Sequence, residues 1–423
     1  MTHSVTTDVE ESSAPLPRPA DSISPPAIGP GSVIGMLGGG QLGRMFAIAA
    51  TSLGYRVTVL TDQLDCPAAT VAHETIVGDL KDHATLDRFA AACDVVTLEF
   101  ENIPVDALDY LSNKVGVFPS AGVLRVAQDR GVEKQTLRDA GLPVTNFRLV
   151  NSLADAEAAL DALGQPIVLK TTREGYDGKG QWKIESLDAL HAWHHRSVED
   201  NGLRFDRPLI AEAWVPYEKE VSVIIARSQR GGQYEVAVYP VFENRHRNHI
   251  LDVTLCPAGI TSDTEAQAKQ MAIRAAEAID LVGLICIEFF VLPGGNLLIN
   301  EIAPRPHNSG HLTIDACHTS QFEQQVRSVC GLPLGDPGLI VPAAVMVNVM
   351  GEMWHSGEPA WPSLLEISGA HLHLYDKGAA KKGRKMGHLT LTGERETVNQ
   401  RLKQVQAILA RTSPPTPCAE PAR

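Results

Sequence analysis

Two glutamates, Glu288 and Glu301, have the spacing of a shared metal site. Each lies in an apolar stretch of chain, and the turn sequence Pro293-Gly-Gly-Asn296 separates the two stretches. If the two glycines form a two-residue hairpin loop, Pro293 pairs with Asn296, and the same register sets Glu288 opposite Glu301. Facing carboxylates repel each other, and Mg²⁺, with Asn300 as a further oxygen ligand, would remove that repulsion. The alternative is a pair of solvent-facing glutamates, which the apolar neighbours disfavour.

The segment APRPHNSGH that follows, residues 303–311, is dense in groups that bind anions. Arg305 and His307 suit an anion site or a histidine that carries a proton, and an ordinary loop is the alternative. His307 and His311 have the spacing of two helical zinc ligands. A neighbouring proline and an intervening glycine argue against a helix there, and therefore against zinc.

Two glycine-rich turns could contact phosphates. The first, GGGQLG at 38–43, joins a strand to a helix, and Asp62 follows at the end of the next strand. This pattern fits a dinucleotide site, a tight turn without a ligand, or a small-molecule contact at the helix N-terminus. The second, GYDGKGQ at 175–181, comes soon after Lys170. Its glycines would let the backbone approach a polyphosphate, and a flexible hairpin is the alternative.

A basic segment lies near the C-terminal end of an otherwise acidic chain. Five lysines and arginines fall between Lys377 and Lys385, and glycines flank Arg384 closely. Such a run is either a solvated face or a clamp for a phosphate group.

Strands and helices must bring these groups together. Strands that alternate with helices from Val33 onward predict a parallel α/β domain over 32–128. Beyond it, strands with few helices between them predict antiparallel α+β structure over 129–332. That region includes a helix from about Asp263 to Ile279 and a hairpin that carries the two glutamates.

The remaining chain is predicted to be a small β-rich domain and two tails. Strand-like stretches predict the β-rich domain over 333–410. Residues 1–31 and 411–423 are predicted to be a disordered and a flexible tail, because they are rich in proline and polar residues and poor in large apolar ones.

Composition excludes several classes of function. The net charge of −13 disfavours bulk binding to nucleic acid or to a membrane surface. No apolar run is long enough to span a membrane, and the N-terminus lacks a secretory pattern. Seven scattered cysteines without a C-x-x-C pair argue against disulfides or a cysteine zinc site. A reducing, cytoplasmic setting fits this cysteine usage.

Taken together, five stretches resemble the ATP-grasp superfamily, and within it the family of 5-(carboxyamino)imidazole ribonucleotide synthases. The stretches are GGGQLGRM (38–45), TLEFENIP (97–104), VLKTTREGYDGKGQW (168–182), NEIAPRPHNSGH (300–311) and YDKGAAKKGRKMGHL (375–389). The resemblance covers residues 40–390 and implies an ATP-grasp fold with an N-terminal Rossmann-like domain. It also implies a homodimer.

The resemblance implies a role for each candidate residue. The expected ATP site comprises Arg130, Lys170, Gly175, Tyr176, Asp177, Gly178, Lys179, Gly180, Gln181, Glu212, Ala213, Trp214, Val215, Glu220, His246, Asn300 and Glu301. The expected ribonucleotide contacts are Gln41, Leu42, Glu99, Tyr176, Lys377 and Arg384. The expected catalytic residues, which would hold bicarbonate, are Arg305, His307 and Lys377, and Glu288 and Glu301 would bind Mg²⁺.

The expected reaction, a step of purine biosynthesis, is the ATP-dependent carboxylation of 5-aminoimidazole ribonucleotide by bicarbonate through carboxyphosphate. One alternative is the related formate-dependent glycinamide ribonucleotide transformylase. A second, of a different class, is an NAD-binding oxidoreductase or sensor, which would rest on the 38–43 turn and Asp62.

Overall fold

The computed structural model describes residues 27–173, 175, 180–199, 205 and 207–412. Its first unit is a parallel five-stranded sheet in the order β3-β2-β1-β4-β5. The predicted parallel α/β domain is therefore confirmed, although the short strands β3 and β5 were not predicted. The elements are β1 Val33–Leu37, α1 Gln41–Ser52, β2 Arg56–Thr61, β3 Glu74–Val77, α2 His83–Ala91, β4 Val95–Leu98, α3 Val105–Ser112, β5 Gly116–Val117 and α4 Ala121–Ala127.

A four-stranded antiparallel sheet comes next, in the order β6-β9-β7-β8. Two helices lie between its strands, more than the sequence predicted, because their amphipathic periodicity is weak. Alanines and Leu160 of α6 are buried against this sheet. The elements are α5 Arg130–Asp139, β6 Phe147–Val150, α6 Leu153–Leu163, β7 Ile167–Thr171, β8 Gln181–Ile184, α7 Leu187–Glu199 and β9 Leu209–Ala213.

The largest unit is a nine-stranded sheet in the order β15-β14-β10-β12-β13-β16-β18-β17, with β11 paired to β10. Short 3₁₀ helices span Asn308–Leu312 and Gly351–Trp354. The remaining elements are β10 Lys219–Arg230, β11 Gln233–Val238, β12 Phe242–Arg247, β13 Ile250–Cys256, α8 Ser262–Ala278, β14 Gly283–Val291, β15 Leu297–Ala303, α9 Thr313–Ala316, α10 Gln321–Val329, β16 Ala343–Met350, α11 Trp361–Leu365, β17 Ala370–Leu374, β18 Lys385–Gly393 and α12 Arg395–Thr412.

The C-terminal strands belong to this same sheet. Strand β16 pairs with β13, so β16, β18 and β17 extend the sheet that holds the glutamate hairpin. Helix α12, which the sequence analysis did not predict, packs on these strands through Val398, Leu402 and Val405. The basic segment before β18 is therefore fixed to the same sheet as the glutamates.

The hairpin β14–β15 brings Glu288 opposite Glu301, as predicted, but through a different register. The Leu292 N–H donates to the Asn296 carbonyl over 2.8 Å, so three residues form the loop instead of two. A β-bulge after Glu288 leaves Asn300 without a cross-strand partner and restores the glutamate pairing. Bulges change the direction of side chains near functional sites. In this bulge, Asn300 is the extra residue.

The end of the predicted N-terminal tail is anchored. The Ile28 N–H donates to the Cys330 carbonyl over 2.9 Å, and the Tyr55 hydroxyl donates to the Ile28 carbonyl over 2.6 Å. The end of the predicted tail therefore contacts both the first domain and the C-terminal end of α10, and the rest of that tail lies outside the described residues.

Candidate functional site

One cavity of about 1100 Å³ lies where the three units meet. Its walls come from the 38–43 turn, the four-stranded sheet and the glutamate hairpin. Of the residues expected from the sequence, the following line it: Gln41, Leu42, Glu99, Arg130, Lys170, Gly175, Gly180, Gln181, Glu212, Ala213, Trp214, Val215, Glu220, His246, Glu288, Asn300, Glu301, Arg305 and His307. Tyr176, Asp177, Gly178 and Lys179 lie outside the described residues.

The 38–43 turn holds a carboxylate. Glu99, at the end of β4, accepts hydrogen bonds from the N–H groups of Gly40 and Gly43 at the start of α1. A Cβ at Gly38 or Gly40 would lie within 2.7 Å of Glu99 atoms, so glycine is needed to admit this side chain. Burial raises the pKa of Glu99, and the two N–H groups oppose the rise. The helix N-terminus, where a dinucleotide pyrophosphate would sit, is thus filled by the protein itself.

A buried ion cluster lies at the four-stranded sheet. The Glu212 carboxylate lies 2.8 Å from the Lys170 ammonium and 3.3 Å from that of Lys134. Burial alone would raise the pKa of Glu212, but the two lysines lower it to about 2. Lys134 also donates to the Asn300 carbonyl over 2.9 Å. The cluster therefore fixes α5, the sheet and the bulge of the glutamate hairpin relative to one another.

Each member of the glutamate pair also has a cationic partner. Arg130 donates to Glu301 over 2.6 Å, and it also holds the Gly175 carbonyl at 3.1 Å. His307 lies 3.0 Å from Glu288. Burial alone would raise the pKa of Glu301, but Arg130 and more distant cations lower it to about 2. The repulsion expected between the two carboxylates is therefore partly cancelled by the protein.

The residues around the pair fit a magnesium ion. Glu288 and Glu301 are cross-strand neighbours, and the Asn300 side-chain oxygen is buried without a hydrogen-bond partner. An unsatisfied buried oxygen costs free energy, and Mg²⁺ takes oxygen ligands from carboxylates together with nucleotide phosphates. The three side chains thus offer an all-oxygen donor set with one acceptor still unused.

The anion-binding segment is held by a carboxylate from the first domain. Both carboxylate oxygens of Glu101 accept hydrogen bonds from the Arg305 guanidinium, and the distance from Nη2 of Arg305 to Oε1 of Glu101 is 3.0 Å. Burial alone would lower the pKa of His307, but the neighbouring Cys286 sulfur and Glu288 carboxylate raise it to about 10. At neutral pH the segment therefore presents two cations. The His307 N–H and carbonyl also bond the Gln321 side chain, which orients the segment.

At the far end of the cavity, Glu220 has the geometry of a hydroxyl acceptor. His246 lies 2.9 Å from its carboxylate, and the Tyr217 hydroxyl donates to it over 2.5 Å. Tyr217 stacks on Phe290 with ring centroids 4.5 Å apart. These neighbours hold a carboxylate that could accept hydrogen bonds from a sugar.

Lys377 and Arg384 lie in a second cavity of about 810 Å³ instead of the first. This cavity is also lined by Thr61 and Asp62. It shares Gly40, Gln41, Glu99 and Phe100 with the first cavity. The two cavities are therefore neighbours across the 38–43 turn.

Sequence reasoning missed two residues of the site, Lys134 and Glu101. A signal existed for Lys134, because Arg130, Glu133, Lys134 and Leu137 share one face of α5 by their spacing and Leu137 is apolar. Glu101 has no comparable signal, since its partner Arg305 is 204 residues away in the chain.

In the described part of the chain, no helix is both long and apolar enough to cross a membrane.

Three family models match successive parts of the chain. They are the ribonucleotide synthetase preATP-grasp domain over residues 32–128, the ATP-grasp domain over 135–322, and the phosphoribosylaminoimidazole carboxylase C-terminal domain over 344–401.

Similar proteins cover most of the chain. It is 45% identical to the N5-carboxyaminoimidazole ribonucleotide synthase of Brucella melitensis, over 85% of this chain and 96% of that protein. It is 41% identical to a bifunctional purine synthesis protein of Dictyostelium discoideum, of whose length it spans 38%. A solved N5-carboxyaminoimidazole ribonucleotide synthetase with ADP has a TM-score of 0.83 at 40% identity, covering 92% of this chain and 99% of that one. The Aspergillus clavatus synthase, solved with ADP and 5-aminoimidazole ribonucleotide, has a TM-score of 0.81 at 31% identity, covering 90% and 99%.

Proposed function

The chain belongs to the N5-carboxyaminoimidazole ribonucleotide synthase family of ATP-grasp ligases, and we propose that it carboxylates 5-aminoimidazole ribonucleotide with bicarbonate at the expense of ATP. One observation carries the proposal. A single cavity joins a nucleotide half, around Lys170 and Glu212, to the cationic pair Arg305 and His307. Its wall at the 38–43 turn adjoins a second cavity with two further cations.

ATP would occupy the half of the cavity next to the four-stranded sheet. Lys170, Arg130 and the 175–181 loop would hold its phosphates, and residues 212–215 at the end of β9 would meet the adenine. Glu220 would accept hydrogen bonds from the ribose hydroxyls, with His246 beside it. Glu288, Glu301 and Asn300 would hold Mg²⁺. When bound, Mg²⁺ would neutralise negative charge on the phosphate oxygens.

In the first chemical step, a bicarbonate oxygen attacks the γ-phosphorus of ATP, forming carboxyphosphate while the bond to ADP breaks. Arg305 and His307 would hold the bicarbonate, and Glu101 keeps the Arg305 guanidinium in place. The protein supplies charge and orientation for this transfer. No nucleophile from the protein is required.

In the second step, the exocyclic amine attacks the carbon of carboxyphosphate, or of CO₂ released from it. Phosphate leaves and takes up the proton that the amine loses. Lys377 and Arg384 would bind the 5′-phosphate of the ribonucleotide in the second cavity. Gln41, Leu42 and Glu99 would contact the rest of the ribonucleotide, because they border the first cavity. A ligand anchored this way would direct its amine toward the anion segment. Closure of the 175–181 loop would keep water from the labile intermediate.

The two alternatives from the sequence find no support. Glu99 fills the helix N-terminus that an NAD pyrophosphate would need. Three of the four similar proteins named above are N5-carboxyaminoimidazole ribonucleotide synthases or synthetases, and none of the four is named as a formate-dependent transformylase.

The proposal also covers the domain boundaries, the oligomeric state and the cellular location. We assign residues 32–128, 129–332 and 333–410 to three domains, and we propose a homodimer, which sedimentation analysis would test. A cytoplasmic location is proposed from the cysteine usage, since the six described cysteines are all free.

The test uses bicarbonate labelled with ¹⁸O. Because one bicarbonate oxygen becomes the bridge to phosphorus, the phosphate released with 5-aminoimidazole ribonucleotide should contain one labelled oxygen. ADP release should require both substrates. Equal ADP release with glycinamide ribonucleotide and formate, or unlabelled phosphate during carboxylation, would refute the proposal.

A further inference from the structure

A second polar cluster lies outside both cavities, at the edge of the nine-stranded sheet. His373 of β17 and His388 of β18 are direct cross-strand neighbours, with ring centroids 4.6 Å apart. Asp315 of α9 reaches the same place, and its carboxylate lies 2.9 Å from the Nε2 of His373. One nitrogen or oxygen atom from each of the three residues lies within 4.8 Å of the others.

Two buried polar atoms in this cluster have no partner. His388 is fully buried, its Nδ1 is bonded to the Tyr375 hydroxyl at 2.8 Å, and its Nε2 has no hydrogen bond. Thr390 lies two residues further on the same face of β18, and its hydroxyl is also buried without a partner. Buried polar atoms are normally satisfied, so the unpartnered Nε2 of His388, in a cluster with Asp315 and His373, points to a missing ligand.

We propose that Asp315, His373 and His388 form a binding site for a zinc ion. Two imidazoles and one carboxylate are a zinc donor set, whereas magnesium and calcium prefer all-oxygen sites. Ligand atoms about 2.0–2.1 Å from a tetrahedral zinc lie about 3.3 Å apart. The existing separations are up to 4.8 Å, and the His373 and His388 rings are stacked with an interplanar angle of 15°. Zinc binding therefore requires the less buried partner, His373, to turn its ring so that a nitrogen points at the ion together with the His388 Nε2.

The surroundings supply the outer contacts of such a site. When Nδ1–H of His388 donates to the Tyr375 oxygen, Nε2 keeps its lone pair for a metal, as outer partners do in zinc sites. His371, on the same face as His373, has its Nδ1 3.8 Å from the Asp315 carboxylate. The fourth position would be taken by water, beside the Thr390 hydroxyl.

The ion would tie two parts of the proposed active site together. Helix α9 follows directly on the 3₁₀ helix that ends the anion segment, and β17 leads into the segment with Lys377 and Arg384. Zinc would hold α9 against this hairpin and so stabilise the phosphate-binding segment. This consequence rests on the proposed function, but the metal site does not.

Zinc binding is tested on the full chain after removal of metals with EDTA. Zinc chloride is titrated in competition with a chromophoric chelator, using wild type, Asp315→Asn, His373→Gln and the control His318→Asn. His318 is an exposed histidine three residues from Asp315 and outside the cluster. The double variant Glu288→Gln, Glu301→Gln removes the other carboxylate site. Cobalt chloride added to wild type reports the coordination geometry through its visible spectrum.

The expected result is about one zinc per chain in wild type, His318→Asn and the double glutamate variant, with a tetrahedral cobalt spectrum. Asp315→Asn and His373→Gln should each weaken zinc binding at least about 100-fold, more than the loss of an outer-shell partner. Circular dichroism checks that both variants are folded. The proposal is wrong if wild type takes up no zinc, if both cluster variants bind it as tightly as wild type, or if the double glutamate variant loses it. In those cases a buried water would account for the unpartnered atoms.

Discussion

Replacing Glu212 by glutamine should strongly destabilise the apo protein. Glu212 is the shared partner of two lysines, and its side chain is 3% exposed while that of Lys134 is 1% exposed. The variant would leave the buried ammonium group of Lys134 and the partly buried one of Lys170 without their carboxylate. Breaking a buried ion pair from one side costs about 3–5 kcal/mol.

The pKa of Glu212 gives the size of this stability loss by a second, separate argument. Its value falls from 4.5 to about 2 in the folded protein, and each pKa unit corresponds to about 1.4 kcal/mol. The ionised carboxylate thus contributes about 3 kcal/mol of stability. Because the folded pKa is lowered, this contribution is complete above pH 4.5 and is lost as the pH falls toward 2.

The assay is urea unfolding followed by tryptophan fluorescence. Trp182 lies in the four-stranded sheet and Trp214 directly follows it. At pH 7, Glu212→Gln should lower the apparent free energy of unfolding by about 3 kcal/mol, and the loss should shrink as the pH falls toward 2. Adding Lys134→Met should recover part of the loss, because it removes one unpaired cation. The control is Glu185→Gln, whose exposed carboxylate pairs with Lys183 and whose loss should cost under about 0.5 kcal/mol.

A loss below about 1 kcal/mol at pH 7 would refute the reasoning, since it would show that the two lysines do not depend on Glu212. So would a loss that is the same at pH 7 and pH 3. Either result would mean that water or rearrangement satisfies the two ammonium groups.

Three further perturbations test other parts of the site. Glu288→Gln and Glu301→Gln should each cut turnover at least about 100-fold and reduce the thermal protection given by Mg²⁺–ATP; full protection would exclude them as metal ligands. Because Arg130 and His307 would lose their partners, both apo variants should also melt lower than wild type. Glu101→Gln should raise the KM for bicarbonate about 10-fold by loosening Arg305, and an unchanged KM would contradict its positioning role. Deleting residues 1–30 should lower the melting temperature, because it removes the Ile28 contacts, whereas deleting 1–26 should leave it unchanged.

The ion pairs of the two glutamates reverse the stability effect that their mutual repulsion alone would predict. From repulsion alone, neutralising one carboxylate would leave the apo protein no less stable. The sequence could not show that Arg130, 171 residues from Glu301, would reach it. Long-range partners of this kind depend on how domains pack, which local spacing does not encode.

The hairpin shows what local patterns can and cannot predict. Two apolar stretches and a Pro-Gly-Gly-Asn turn were enough to pair Glu288 with Glu301. The loop length was wrong by one residue, and the bulge at Asn300 compensated for it. Loop and bulge could not be separated from sequence alone, because a loop that is longer by one residue, combined with one bulged residue on β15, gives the same Glu288–Glu301 pairing as a two-residue loop without a bulge.

Local sequence patterns also could not predict which strands join each sheet. Strands β16 to β18 were predicted, but their attachment to β13 was not. A strand's residues show which face is buried, and they do not say which neighbour completes the sheet. The histidines at 373 and 388 illustrate the same limit, since they become neighbours only through the pairing of β17 with β18.

The glycine-rich turn explains why the dinucleotide pattern was ambiguous. Glycines there are required by any group that approaches the start of α1 closely, and in this chain that group is the Glu99 carboxylate. A carboxylate at a helix N-terminus satisfies the free N–H groups and offsets the helix dipole. The N–H groups of Gly40 and Gly43 are therefore not available to a phosphate. Lys377 and Arg384 line the second cavity together with this turn, so these side chains would supply the positive charge for a ribonucleotide phosphate that the occupied N–H groups do not.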